Sequence, residues 1–297
     1  MRHGIGGFLS RLRRGRFFLA AGALLAAALA LFSPTFADAA SVADLLAEAD
    51  VAFAQRFSFE AINEVISHYQ QCLPLLPPQS QSFVLDRLSQ CCYELTTFSP
   101  GNTPEDKDLF DRGMAYGMRS LRLNQGFSRL EKDDFAEAVK EVTDPAAILW
   151  TANNWGALFG YNPLQGMVDV GKVKVLYERG IELDEGYWGG SFHNALGAMF
   201  ITLPSVLGGD PQQGRAHLER AIVLAPDYLE NHVVYAQYWG FTYDLFGKID
   251  GIRDLSLIQR ELQFVISAPI GDWPFWNREA KREAKALLQK SQEMSGT

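Results

Sequence analysis

Apolar residues recur at spacings of three and four along most of the chain, which is the period of an α-helix. The first apolar face consists of Leu45, Leu46, Ala49, Phe53 and Phe57. The second consists of Ile62, Val65, Ile66 and Tyr69, and the third of Phe83, Val84, Leu88, Cys91, Cys92 and Leu95. Sustained alternation of apolar and polar residues, the pattern of a half-buried strand, is scarce. The hydrophobic pattern therefore predicts an all-α protein.

Proline, glycine and capping residues mark where these helices begin and end. Leu76–Pro78 ends a helix, and Thr103–Glu105 has the composition of a helix N-terminus. Asp144 is placed to cap a helix that starts at Pro145 and runs to Phe159. Gly208-Gly209-Asp210-Pro211 has the glycines of a phosphate loop but lacks its Gly-Lys-Ser/Thr ending. We interpret it as a helix end followed by an N-cap and a first-turn proline.

One short sequence motif occurs three times: two apolar residues spaced two apart near a helix end are followed by an aromatic residue. The three copies are Leu121–Asn124 with Phe127, Ile181–Asp184 with Tyr187, and Ile222–Ala225 with Tyr228. They are offset by 60 and then 41 residues, more than the roughly 34 of a tetratricopeptide repeat. The repeated motif predicts an irregular tetratricopeptide-like helical-repeat solenoid with a concave surface. A closing amphipathic helix is expected from Trp273 to Lys290.

The N-terminal residues have the layout of a secretory signal peptide. Five arginines precede an apolar run from Phe17 to Phe32, which ends at Ser33-Pro34 and is followed by small residues at Ala37 and Ala39. The run has 16 residues, fewer than the roughly 20 needed to cross a bilayer. We expect residues 1–39 to be a cleaved signal peptide and 40–297 to be a single all-α domain; an uncleaved anchor is the alternative. The apolar run has no lipid-acceptor cysteine near its end.

Charge and composition narrow the class of partner. Loss of the five arginines of residues 1–37 would change the formal net charge from −8 to −13. An acidic protein repels phosphate backbones, so nucleic acid is not an expected partner. Hydrophobic residues at 47% and charged residues at 21% indicate a folded chain with a substantial core.

The sequence gives no convincing catalytic or metal site. His193 has no second ligand at helical spacing, and His217 and His232 are expected on different helices. No Gly-x-Ser-x-Gly motif is present, and adjacent Cys91 and Cys92 lack redox spacing. Cys72 is expected too far from either along a helical hairpin to form a disulfide, so we expect three buried thiols. No catalytic residue, cofactor or metal ligand is predicted.

Aromatic residues are enriched in two segments, Trp150–Phe200 and Tyr235–Tyr243. They pack either in the core of the helix stack or along a groove that binds a partner or an apolar ligand. Few charges lie between Ile148 and Phe159, so that desolvation on binding would cost little. The candidate binding surface consists of Trp150, Asn153, Asn154, Trp155, Tyr187, Trp188 and His193.

A series of short sequence motifs lies between residues 147 and 281. In order they are Ala147–Trp150, Trp155-Gly156, Tyr187–Gly190, Leu203-Pro204, Leu207–Asp210, Ala225–Tyr228, Tyr235-Ala236 and Asn277–Lys281. Over roughly residues 45–290 the chain resembles the T component of TRAP transporters, a family of exported tetratricopeptide-like proteins. The resemblance implies an all-α repeat fold, association with a TRAP substrate-binding protein, and no known chemistry. The missing acceptor cysteine departs from the members that are lipoproteins.

The expected function is that of a non-enzymatic, periplasmic accessory component of a TRAP-type solute uptake system. Its partners would be the periplasmic substrate-binding protein and an apolar or small organic ligand. A homo-oligomer, with a trimer as the suspected form, is also kept open. The alternative function is a general periplasmic helical-repeat scaffold unrelated to transport.

Overall fold

A computed structural model describes residues 36–244 and 247–296, with side chains from Val42 onward in the first helix. The predicted signal peptide covers residues 1–39, of which 1–35 lie outside the described residues. Among the residues that are described, no helix is both long and apolar enough to cross a membrane.

The described residues contain thirteen α-helices, five short 3₁₀ helices and one two-stranded sheet. The first six helices are α1 Phe36–Ala54, α2 Phe59–Cys72, α3 Ser82–Leu95, α4 Pro104–Arg122, α5 Gln125–Leu130 and α6 Phe135–Lys140. The next five are α7 Pro145–Ala157, α8 Pro163–Asp184, α9 Tyr187–Thr202, α10 Pro211–Leu224 and α11 Leu229–Gly240. Strands β1 Phe241–Tyr243 and β2 Ile249–Ile252 precede α12 Leu255–Ser267 and α13 Pro274–Ser295. The all-α prediction is confirmed.

Local capping signals set the helix starts as predicted. The side chain of Asp144 accepts hydrogen bonds from the backbone N–H groups of Ala146, at 2.9 Å, and Ala147, at 3.4 Å, with Pro145 as the first helical residue. The Asp210 carboxylate caps α10 in the same way, and Gly208 ends the preceding turn with φ of 87°. These groups satisfy N–H donors that the first helical turn leaves unpaired.

Two local features differ from the sequence expectation. Helix α1 ends at Ala54, and Phe57 lies beyond it with 41% of its surface exposed, because Ser58 caps α2 only four residues later. The second difference is the antiparallel hairpin of β1 and β2, in which Phe241 pairs with Ile252. Its strands are too short to show a period-two pattern in the sequence.

Helices that follow one another in the chain pack side by side. The packing order is α1, α2, α3, α4, α7, α8, α9, α10, α11, α12 and α13. Contacts also join α3 to α7, α9 to α11, and α11 to α13, while the short α5 and α6 pack together. Such an order is expected of helical hairpins that bury their apolar faces against their neighbours. That the hairpins are tetratricopeptide repeats in a solenoid stays a prediction.

Helices α9 and α10 approach each other closely through two glycines. A Cβ atom at Gly197 would lie 2.8 Å from the carbonyl oxygen of Gly214. A Cβ atom at Gly214 would lie 2.6 Å from the carbonyl oxygen of Gly197. Because the obstructing atoms are backbone on both sides, only glycine allows this spacing.

The last helix returns to the first third of the chain. Arg282 on α13 donates a 2.7 Å hydrogen bond to the carbonyl oxygen of Thr97, just after α3. The Phe275 ring lies 6.1 Å from the Phe98 ring. The Arg278 guanidinium lies 4.6 Å from the centre of the Phe57 ring. These closure contacts join α13 to the α1–α2 loop and to the turn after α3.

The three cysteines are free and fully buried, as the interpretation of small apolar residues requires. Burial raises the pKa of the Cys92 thiol to about 12 and raises that of Cys91 as well. Both thiols are therefore protonated at neutral pH, a state of low reactivity.

Candidate functional site

A left-handed turn begins α9 and positions the aromatic residues of the candidate site. Three consecutive residues have positive φ: Trp188 at 54°, Gly189 at 69° and Gly190 at 78°. Glycine adopts this conformation easily, whereas a bulky aromatic residue rarely does. A Cβ atom at Gly190 would also lie 3.2 Å from the Cα atom of Ala221, so that α10 lies directly against the turn.

Hydrogen bonds hold the turn in this conformation. The N–H groups of Gly189 and Gly190 donate to the carbonyl oxygen of Gly186 at 3.1 and 3.3 Å. The Asn231 amide donates to the carbonyl oxygen of Gly189 at 3.0 Å, and the Ser191 hydroxyl to that of Trp188 at 2.7 Å. A strained residue persists only where the surrounding structure over-determines it, and these bonds meet that condition.

The turn places Trp188 at the centre of a group of aromatic rings, the Trp188 cluster, formed by Trp150, Tyr187, Trp188 and Trp273. The Trp188 ring is nearly perpendicular to that of Trp150, with centroids 5.2 Å apart. It lies 5.8 Å from Tyr187 and 6.5 Å from Trp273. Trp150 and Trp188 are 1% and 6% exposed, so that the cluster is interior.

The two candidate asparagines connect helices. Asn153 accepts a 2.9 Å hydrogen bond from the Tyr177 hydroxyl, which joins α7 to α8. The Asn154 amide donates to the carbonyl oxygens of Trp150, at 2.7 Å, and Ser89, at 3.0 Å. The second bond joins α7 to α3. Both asparagines are fully buried.

Trp155 lies against a different group of residues. Its ring is perpendicular to that of Phe135 on α6, with centroids 5.8 Å apart, and Lys172 on α8 lies 5.6 Å from its centre. Its indole N–H points to Asp169 at 3.4 Å. The side chain is half-buried, and these contacts place it against α6 and α8.

His193 pairs with His217 on α10. Their Nδ1 atoms are 2.8 Å apart, and Nε2 of His193 lies 3.4 Å from a carboxylate oxygen of Glu185. Arg220 also binds Glu185. Burial lowers the pKa of both histidines, and the neighbouring His193 helps lower that of His217 to about 4. At neutral pH one imidazole donates to the other, and both are uncharged.

We expect this pair to make the protein sensitive to acid. Because the pKa of His217 is near 4 in the folded protein and 6.5 without burial, the unfolded chain binds more protons between these values. The contribution of uncharged His217 to the free energy of unfolding is complete above about pH 6.5 and is lost as the pH falls towards 4. We expect a loss of about 1–3 kcal/mol, reduced by partial exposure. Denaturant unfolding of wild type and His217→Gln at pH 7 and pH 4.5 measures it. Equal acid losses in the two proteins would contradict the assignment.

A polar stripe on α3 is the functional candidate that the sequence did not reveal. Its members are Asp86, Arg87, Gln90 and Glu94, all buried. Arg87 donates to Gln90 at 3.1 Å, and Gln90 donates to Glu94 at 2.8 Å. The Arg56 guanidinium completes the chain with a 2.6 Å bond to Glu94. The only signal in the sequence was the spacing of four between residues 86, 90 and 94.

The α3 stripe reaches the Trp188 cluster through Asp86. Burial raises the pKa of the Asp86 carboxyl well above its usual range, and the neighbouring Asp144 raises it further through charge and a hydrogen bond. Burial also raises the pKa of the Tyr187 hydroxyl, which is close enough to Asp144, Arg87 and Asp86 to be influenced by their charges. In the part of the chain that the structure describes, the Tyr187 hydroxyl and the Trp188 indole N–H have no hydrogen-bond partner. The interior therefore contains polar groups with unused bonding capacity.

The seven candidate residues thus lie in three places. Trp150, Tyr187 and Trp188 form one cluster, the two asparagines and Trp155 extend along α7, and His193 lies against α10. Five of them are buried and two are half-buried. This burial favours the core interpretation, and a role in binding a partner or apolar ligand stays a prediction. Within residues 36–244 and 247–296, no three His, Cys, Asp or Glu side chains are placed to hold a metal ion.

Fold and interior together define the class of protein: an all-α chain of successively packed helices around a buried aromatic and polar centre. Residues 105–294, more than half of the chain, match the family model described as TRAP transporter T-component. The chain therefore belongs to the TRAP transporter T-component family, and the resemblance found in the sequence is confirmed. Members of this family are accessory components of a membrane transport system, and the family is not a known enzyme family. No curated protein matches the chain.

Proposed function

We propose that this protein is a non-enzymatic accessory component of a TRAP-type uptake system that binds the system's substrate-binding protein. The observation that carries the proposal is the family match over residues 105–294. Membership supports association with other TRAP components in general.

We also propose that the protein acts in the periplasm after removal of residues 1–39. The support is the order of basic, apolar and small residues at the N-terminus. Intact-mass analysis of protein recovered from the periplasm should give a chain that begins between Asp38 and Ser41. A majority of molecules that retain Met1 would refute the cleavage.

A binding titration tests the proposed partner. The chain from Ser41 onward is titrated with the TRAP-type substrate-binding protein of the same organism, with and without its solute. We expect saturable, one-site binding in the micromolar range, as for transient complexes with small interfaces. The control is a periplasmic binding protein from an unrelated transporter, which should not bind. Failure of the TRAP receptor to bind in both states would refute the proposal.

A further inference from the structure

An exposed apolar stripe runs along the first half of α8. It consists of Leu164, Met167, Val168 and Gly171, at the i, i+3, i+4 and i+7 positions that share one face of a helix. The three side chains are 77%, 55% and 70% exposed. Apart from its chain neighbours and the nearby backbone of α8, no atom of the described residues lies within 4 Å of a Cβ atom built on Gly171, so that this side of the backbone is open to contact.

The size of the α8 stripe is informative about its occupant. Its three side chains expose roughly 350 Å² of apolar surface, an area at which patches on monomers are often functional. A stable interface buries about 800 Å² on each partner. The stripe is therefore too small to hold two copies of this chain together by itself, and it suits a partner that binds and dissociates.

The charges along this part of α8 cancel. Asp169 pairs with Lys172 at 3.1 Å, and Lys174 pairs with Glu178 at 2.8 Å. The chain as a whole carries a formal net charge of −8. For a partner that is also acidic, repulsion is least where the local charge is balanced, which makes the stripe a favourable place for docking.

We propose that the α8 stripe is the surface on which the TRAP-type substrate-binding protein docks, through a complementary apolar patch with Gly171 at the closest approach. This inference rests on the proposed function. The Trp188 cluster lies in the interior and does not contribute to this surface.

Three variants test the surface in the receptor titration described above. Val168→Asp should weaken receptor binding at least tenfold, because it places a charge inside the contact. Gly171→Gln should weaken it about fivefold by steric obstruction, without lowering the melting temperature, since glutamine has the higher helix propensity. Val223→Asp is the matched control, because Val223 is a helical valine of similar exposure, 68%. Its affinity should stay within twofold of wild type.

The outcomes separate the two proposals. If wild type does not bind the receptor, the proposed function fails, and this inference fails with it. If wild type binds and all three variants bind equally well, the surface is wrong while the function stands. Light scattering on the same proteins decides the remaining alternative. A loss of oligomers in Val168→Asp with unchanged receptor affinity would assign the stripe to a second copy and overturn the proposal.

Discussion

Replacement of Trp188 by alanine is expected to lower the free energy of unfolding by about 3–5 kcal/mol. The indole is 6% exposed and contacts the rings of Trp150 and Trp273, so its removal leaves a large cavity between α7, α9 and the start of α13. Helical neighbours cannot fill such a space without moving. Denaturant unfolding followed by far-UV circular dichroism measures the loss.

Two further variants separate packing from backbone strain. Trp188→Gly removes the same ring but also the cost of a positive φ, roughly 1–2 kcal/mol, so it should be less destabilising than alanine. Trp155→Ala removes a half-buried ring and should cost less than either. A loss below about 1 kcal/mol for Trp188→Ala would show that the ring does not pack as described. Folded Trp188→Ala should bind the receptor like wild type, because the indole is interior.

The buried pair of Arg56 and Glu94 is expected to produce an effect of similar size. Glu94→Gln keeps the shape of the side chain and removes its charge, which leaves the Arg56 guanidinium without its carboxylate. Glu94 is 0% exposed and accepts bonds of 2.6 and 3.1 Å from Arg56. Removing one partner of a buried ion pair typically costs about 3–5 kcal/mol. We expect a loss in this range by urea unfolding at pH 7.

A double variant provides the control for this experiment. Arg56→Met combined with Glu94→Leu removes both charges and fills the space with apolar groups, so much of the lost stability should return. The coupling energy of the pair follows from the double-mutant cycle of wild type, Arg56→Met, Glu94→Leu and the double variant. A double variant whose loss equals the sum of the losses of Arg56→Met and Glu94→Leu would indicate that the pair is weakly coupled. A loss under about 1 kcal/mol in Glu94→Gln would indicate the same.

Local signals in the sequence predicted local structure well. Asp144 and Asp210 cap α7 and α10 because the carboxylate and the following proline act within one helical turn. The three copies of the repeated motif lie at the ends of α4, α8 and α10 as expected. Each copy contains the last apolar residues of a helix and the aromatic residue that follows it. In these cases the residues that determine the structure are neighbours in the chain.

The candidate site was less predictable, because its geometry depends on distant residues. The Gly189-Gly190 pair indicates a turn in the sequence, but nothing near Trp188 indicates that the tryptophan also adopts a left-handed conformation; Asn231 on α11 helps to hold the turn. The polar side chains of α3 would be assigned to solvent by any hydrophobic pattern. Two of them, Glu94 and Asp86, have partners from distant parts of the chain: Arg56 from the loop between α1 and α2, and Asp144 from the N-cap of α7.

The contact of α13 with Thr97 limits the number of helical hairpins that can lie between them. An open stack of helical hairpins can gain or lose a unit at its end, since each unit contacts only its neighbours. Here Arg282 bonds to a residue 185 positions earlier, so removing a hairpin between them would separate the two ends of the fold. Such distant contacts also slow folding, because both ends must be available before they can form. Repeat proteins commonly grow by duplication of a hairpin. In this fold, a hairpin inserted between Thr97 and α13 would break their contact, so the duplication would be tolerated only if α13 packed against other residues.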